Sequence, residues 1–171
     1  MDAFGKGKKF CPSRRDFIAR VAPACMVAAA LPVALAGCSK PAPVEVDITN
    51  VKPGQGVSAQ WDGKPVFIRR RTEEEIETTR KDDAAAMPDP AKDSDRVKKP
   101  EWIVVIGICP HHGCTLFGTK SVEPRGHFGG WFCPCHAAEF DLSGRVRKGP
   151  AKTNLSIPPY AFVSETKIRI G

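Results

Sequence analysis

The segment Cys109-Pro110-His111-His112-Gly113-Cys114 is answered downstream by Cys133-Pro134-Cys135-His136, and this pair restricts the fold more than anything else in the chain. Each segment offers a thiol and an imidazole, at C-x-H spacing in the first and C-x-x-H in the second. At that spacing both groups can reach one metal centre from a tight turn. Pro110, Gly113 and Pro134 supply the turns, proline through its preset φ and glycine through its freedom at positive φ. Each segment also carries one further cysteine. A chain with these two boxes has to bring two separated loops to a shared centre.

The donor set points to a particular chemistry. Two thiolates on one ferric ion and two imidazoles on a second make a 2Fe-2S cluster of mixed ligation. Cys109 and Cys133 would hold one iron, His111 and His136 the other. Ferric ions, bridging sulfides and thiolates then sum to zero charge, and neutral imidazoles add nothing. An all-cysteine cluster is more negative, so the mixed one accepts an electron more readily, at roughly −150 to +300 mV against about −400 mV. Each ligating histidine keeps a second ring nitrogen that can titrate. Electron and proton uptake are thereby coupled, which suits a quinol as donor. Two cysteines and two histidines also make a tetrahedral zinc site, but zinc fingers pair Cys with Cys and His with His. Two plain disulfides would leave His111 and His136 without a purpose. His112 competes with His111 as a ligand; the C-x-H register favours His111 and leaves His112 as a polar cap. His127, in a turn between the boxes, reads as a solvated surface histidine.

The 171 residues allow one core domain plus an appended segment. Sixteen prolines and fifteen glycines favour a fold rich in turns over a helical bundle. The net charge of +7 invites a nucleic-acid reading. Much of the surplus, however, clusters at Lys6, Lys8, Lys9, Arg14, Arg15 and Arg20, with no nucleic-acid-binding motif beside it, so no nucleic-acid partner is expected. Residues 1–38 read as an export signal. Ser13-Arg14-Arg15-Asp16-Phe17-Ile18 is a twin-arginine pattern. An apolar run from Val21 to Gly37 follows, interrupted by Pro23 and Pro32 and at the lower length limit for spanning a bilayer. It ends in Leu35-Ala36-Gly37-Cys38, a lipobox-like sequence. The run is either retained as a membrane anchor or cleaved before a lipidated Cys38; a buried core helix is the third reading. The first two leave the protein tethered to the bacterial inner membrane and facing the periplasm.

Residues 39–47 read as a hinge and 48–171 as the folded domain, with the cluster-binding loops at about 107–148. Val44 to Ile48 alternates like a strand. Val57 to Arg71 reads as a hairpin around Asp62-Gly63. Thr72 and Glu75 form a capping box that opens a helix. Residues 80–100, charged and rich in Pro and Ala, read as a surface loop. Trp102 to Ile106 is a strand buried on both faces. Short strands are expected around Leu155–Ile157, Ala161–Val163 and Lys167–Ile170. The fold class is all-β and antiparallel, with one helix-loop insertion.

From about Val44 to Gly171 the chain resembles the Rieske iron–sulfur subunit of bacterial ubiquinol–cytochrome c reductase. The resemblance is carried by the two boxes and by Gly63-Lys64-Pro65-Val66-Phe67-Ile68-Arg69, Pro100-Glu101-Trp102, Gly129-Gly130-Trp131-Phe132 and Gly144-Arg145-Val146-Arg147-Lys148-Gly149-Pro150. It implies an antiparallel β sandwich with a small cluster-binding subdomain. It implies Cys109, His111, Cys133 and His136 as ligands of one 2Fe-2S cluster, and a disulfide between Cys114 and Cys135, a pair that the related dioxygenases lack. It implies that His136 hydrogen-bonds quinol and accepts its proton. The electron would pass to a c-type cytochrome beside a cytochrome b, the head swinging on the hinge. Three features depart from the family. His112 replaces a usual leucine, and Lys152 replaces the second proline of a Gly-Pro-Ala-Pro loop. In the second box Ala137-Ala138-Glu139-Phe140 replaces the usual Gly-Ser-x-Tyr. Ala138 and Phe140 lack hydroxyls that stabilise the reduced cluster, so a lower potential is expected. The alternatives are the small Rieske subunit of arsenite oxidase and a stand-alone periplasmic Rieske electron carrier. The Gly-Lys-Pro-Val-Phe-Ile segment and the helical insertion favour the quinol-oxidising branch.

Overall fold

The computed structural model describes residues 40–171; the twin-arginine pattern, the apolar run and Cys38 lie outside them. In chain order the elements are β1 (Val44–Asp47), β2 (Gly56–Trp61), β3 (Lys64–Arg70), α1 (Glu73–Lys81), β4 (Trp102–Ile106), β5 (Gly129–Phe132), β6 (Glu139–Asp141), β7 (Val146–Lys148), β8 (Tyr160–Ser164) and β9 (Lys167–Ile170). The strands form three antiparallel sheets, ordered β1-β9-β8, β2-β3-β4 and β5-β6-β7. No helix among the described residues is long and apolar enough to cross a membrane.

Strands β3 and β4 are the common wall of two apolar cores. Val66 and Ile68 of β3 and Trp102 and Val104 of β4 face one core, completed by Ile48, Val51, Tyr160, Ile168 and Ile170. Phe67, Ile103 and Val105 point the other way, into a core with Cys109, Leu116, Trp131, Cys133, Ala138, Phe140, Val146 and Leu155. Successive strand side chains point to opposite faces, so a strand between two cores is apolar throughout. That accounts for the unbroken run Trp102–Ile106. The β2–β3 hairpin turns at Asp62-Gly63, both at positive φ. Helix α1 opens as its sequence predicts: Thr72 Oγ1 accepts from Glu75 N at 3.2 Å, and Glu75 Oε2 accepts from Thr72 N at 3.0 Å.

Three expectations need correction. Residues 44–47, placed in the hinge, are strand β1, with Val44 opposite Ile170 and Asp47 opposite Lys167; the folded domain therefore begins before residue 48. Leu155–Ile157 forms no strand. Leu155 N donates to Gly144 O and Ile106 N to Ser156 O, single bonds without a ladder. Residues 80–100 do lie at the surface, but they are more ordered than a loop: Arg80 and Lys81 end α1, and the rest is a strap with two single-turn 3-10 helices, Asp82–Ala84 and Asp93–Asp95. Arg71 Nη1 donates to the buried Asp93 carboxylate at 2.6 Å, and Ser143 Oγ bonds the same oxygen. Arg145 Nη1 reaches Asp83 at 2.5 Å and Ala91 O at 3.0 Å, and its Nη2 reaches Thr79 O at 2.8 Å. Several of the charges that made the segment look solvated, Asp82, Asp83, Asp93 and Arg96 among them, have partners far away in the chain.

Candidate metal centre

Both boxes are built as closed turns at the ends of strands. After β4 the chain passes Gly107, where a Cβ would stand 2.3 Å from the Phe67 ring, so only glycine lets the first box pack against β3. Cys109 N donates to Cys114 O at 2.8 Å and Gly113 N to Cys109 O at 2.9 Å, which curls the box and aims Cys109 inward. Gly113 has φ +79°, in the region its sequence position predicts. The second box leaves β5 and returns in β6, closed by Cys133 N donating to Ala138 O at 2.8 Å. The boxes are joined at their base: Phe117 and Phe132 exchange both backbone hydrogen bonds, at 2.8 and 3.0 Å.

The predicted donors come together in two pairs, imidazole beside imidazole and thiol beside thiol. The His111 and His136 rings lie with centroids 4.9 Å apart at the tip, and His136 is exposed. Cys109 and Cys133 are free and each only 1% exposed, on the inner side. Cys114 and Cys135 form the disulfide that ties the two boxes together. The sulfurs of Cys114, Cys133 and Cys135 lie within 4.8 Å of one another, but two of them are bonded to each other, so that trio is not a ligand set. It places the bridge directly against the second thiol. The His112 ring stands 3.7 Å from the His111 ring and 5.4 Å from that of His136.

The local electrostatics fit a cationic centre held by these four groups. Burial pushes the Cys109 thiol up, and the neighbouring Cys133 adds to the effect. Two thiolates in an apolar pocket need a cation between them. Nδ1 of His111 is buried with no hydrogen-bond partner, while burial and the flanking imidazoles His112 and His136 hold its pKa below the ordinary value. A buried imidazole nitrogen with no hydrogen-bond partner, in a residue whose pKa is held down, is chemically suited to donate to a metal. Mixed thiolate and imidazole donors match a cluster with one sulfur-rich and one nitrogen-rich iron.

Ala138 and Phe140, the two positions expected to tune the potential, are wholly buried in the same core as Cys109 and Cys133. Neither side chain carries a hydroxyl, and no solvent reaches them to substitute for one. His127 is exposed as expected but is not free. Its Nδ1 lies 3.0 Å from Glu139, a buried carboxylate that the sequence reading passed over. Gly149 was also missed as part of the site: a Cβ there would stand 2.6 Å from Ala138 Cα, so the loop after β7 packs on the second box through bare backbone. The available sequence signal was the Gly149-Pro150 pair, which marks a turn, and the glycine indeed holds φ +95°.

The profile described as "Rieske [2Fe-2S] domain" matches residues 43–160. The ubiquinol-cytochrome c reductase iron-sulfur subunit of Rhodospirillum rubrum is 48% identical over 130 residues, covering 76% of this chain and 71% of that one. The mitochondrial cytochrome b-c1 complex subunit Rieske-3 of Nicotiana tabacum is 52% identical over 130 residues, 76% of this chain and 47% of its own. The mitochondrial subunit Rieske of Zea mays is 50% identical, with 46% of its length covered. The chain thus spans about half the length of these mitochondrial relatives. With both boxes intact, converged and cross-linked, and with most of its length matched, this chain belongs to the Rieske [2Fe-2S] domain family.

Proposed function

We propose that the protein is the electron-transfer subunit of a quinol–cytochrome c reductase. In this reading Cys109 and Cys133 hold one iron of a 2Fe-2S cluster, and His111 and His136 the other. The cluster, when bound, supplies a one-electron acceptor. The observation that carries the reading is the imidazole pair at the tip, rings 4.9 Å apart with His136 exposed and His111 half-buried, while Cys109 and Cys133 are buried. A donor can touch a ligand directly at such a tip, whereas the sulfurs are shielded. His136 accepts a hydrogen bond from the quinol hydroxyl on its outer ring nitrogen and takes the proton as the electron leaves. The Cys114–Cys135 bridge keeps the boxes together while the tip docks and departs. Residues 1–38 direct export and tether the protein to the inner membrane with its folded domain in the periplasm, through a retained anchor or a lipidated Cys38. Residues 39–43 are what remains of the hinge once β1 is assigned to the sheet. Cytochrome b and a c-type cytochrome are the partners, the latter taking the electron. The relatives named for complexes of this kind support this assignment. Co-purification of the full chain with a haem-bearing cytochrome b is the expected outcome in its native membrane; isolation without it would favour a free carrier.

Ala138 and Phe140 lower the cluster's potential relative to ubiquinol-oxidising relatives, by withholding hydrogen bonds from a bridging sulfide and a ligand sulfur. An EPR-monitored redox titration of the full chain tests this. Ala138→Ser and Phe140→Tyr should each raise the midpoint. A midpoint that stays put in both variants would refute it.

A further inference from the structure

Strand β6 places a carboxylate against the second box. Glu139 stands opposite Phe132, the residue before Cys133, and follows Ala138, whose carbonyl closes the box. Its side chain is 3% exposed. Oε2 accepts from His127 N at 2.6 Å, both oxygens lie 3.0 Å from His127 Nδ1, and Oε1 accepts from Lys148 Nζ at 3.1 Å. Gly126 makes the approach possible: a Cβ there would stand 2.7 Å from Oε2. Burial by itself would push this carboxyl up, but the bonds from His127 and Lys148 hold it below the ordinary range, so it is ionised at neutral pH. Its partners lie on the solvent side, with the Lys148 side chain 58% and the His127 side chain 80% exposed. A shielded negative charge thus sits next to the cluster loop, with its counter-charge outside.

We propose that Glu139 and Lys148 set the potential of the centre by net charge and in opposite directions, Glu139 lowering it and Lys148 raising it. The inference rests on the assignment of Cys109, His111, Cys133 and His136 as cluster ligands, and it is distinct from the effect of Ala138 and Phe140, which are missing dipoles. The physical reason is Coulombic. An added electron is repelled by a nearby carboxylate, and a buried charge is screened by water and salt far less than an exposed one. Lys148 offsets part of Glu139, but only the part that its exposure leaves unscreened. The pair therefore biases the centre toward the oxidised state, and salt modulates the bias.

The test is an EPR-monitored redox titration of the full chain, loaded with its cluster, at low and high ionic strength. Glu139→Gln keeps the shape and removes the charge, and should raise the midpoint. Lys148→Met keeps the stem and removes the charge, and should lower it. The double variant should lie above Lys148→Met alone. Added salt should shrink the Lys148 shift more than the Glu139 shift. Packing damage has no reason to give opposite signs for opposite charges, so the sign reversal separates a charge effect from a structural one. Should Glu139→Gln fail to hold a cluster, Lys148→Glu carries the same sign test at an exposed position and should fall below Lys148→Met. Midpoints that move in one direction for both charges, or that stay put, overturn the proposal while leaving the cluster assignment intact. Absence of the rhombic, low-average-g signal in the unmutated protein overturns the assignment and this proposal with it.

Discussion

The two cores on either side of β3 and β4 are built on different principles. The one under β1, β8 and β9 is aliphatic and aromatic, and its walls are paired strands, β1–β9 in unbroken register and β8–β9 with one shift. The one under the metal boxes contains two free thiols and short strands with register shifts. It is held by a disulfide, by glycines that let backbones touch, and by buried Arg71 and Arg145 gripping Asp93 and Asp83 of the 80–100 strap. Paired strands and apolar packing are the main support of the first. The second must present irregular loops to a partner, so directional and covalent bonds replace the ladders.

That contrast can be broken most severely at Cys133. Cys133→Ser should abolish iron binding. Hydrogen exchange should show protection lost in β5 and β6 and kept in β1, β8 and β9; equal loss in all would mean that the two cores are one cooperative unit. Next comes the strap. Asp93→Asn leaves the Arg71 guanidinium, wholly buried, without its counter-charge, which costs about 3–5 kcal/mol in chemical denaturation. The same pair fixes the sign of the acid response. Burial raises the Asp93 carboxyl, but hydrogen bonds from Arg71 and Ser143 outweigh it and leave the folded pKa below the ordinary value. The contribution is therefore complete above the unfolded pKa of about 3.9 and is lost as the pH falls through the folded one. The stability gap between wild type and Asp93→Asn should narrow below about pH 4. On the ladder side, Ile168→Val removes one methyl from a fully buried position and should cost about 1 kcal/mol, with midpoint potential unchanged. The smallest effect is a gain. Ala137 holds φ +52° beside His136, so Ala137→Gly should stabilise the box by up to about 1 kcal/mol.

The ladder side was largely legible in the sequence, because its signals are local. Asp62-Gly63 announces a hairpin, Thr72 and Glu75 a helix start, and the run Trp102–Ile106 a strand with no solvent face. The candidate donors stood out for a different reason: metal coordination demands particular residue types at short spacing. What stayed hidden depends on partners distant in the chain. Asp93 is read as a surface acid until Arg71 is found 22 residues away. Glu139 gives no local sign of burial, because its partners His127 and Lys148 lie 12 and 9 residues off. The hinge was drawn too long because strand β1 pairs only with β9, at the other end of the domain.

That last pairing governs how the molecule can be made. Strand β9 is the middle of its sheet, and its partners β1 and β8 do not pair with each other. The salt bridge from Glu45 to Arg169 spans 124 residues. On the ribosome β1 emerges early and waits, with its edge unpaired, until residues 167–170 have been synthesised. Folding of this sheet is therefore a late event that follows translation of β9, and contacts of such long range make it slow. A nascent chain stalled before residue 167 leaves β1 as an open edge for chaperones or for a second chain.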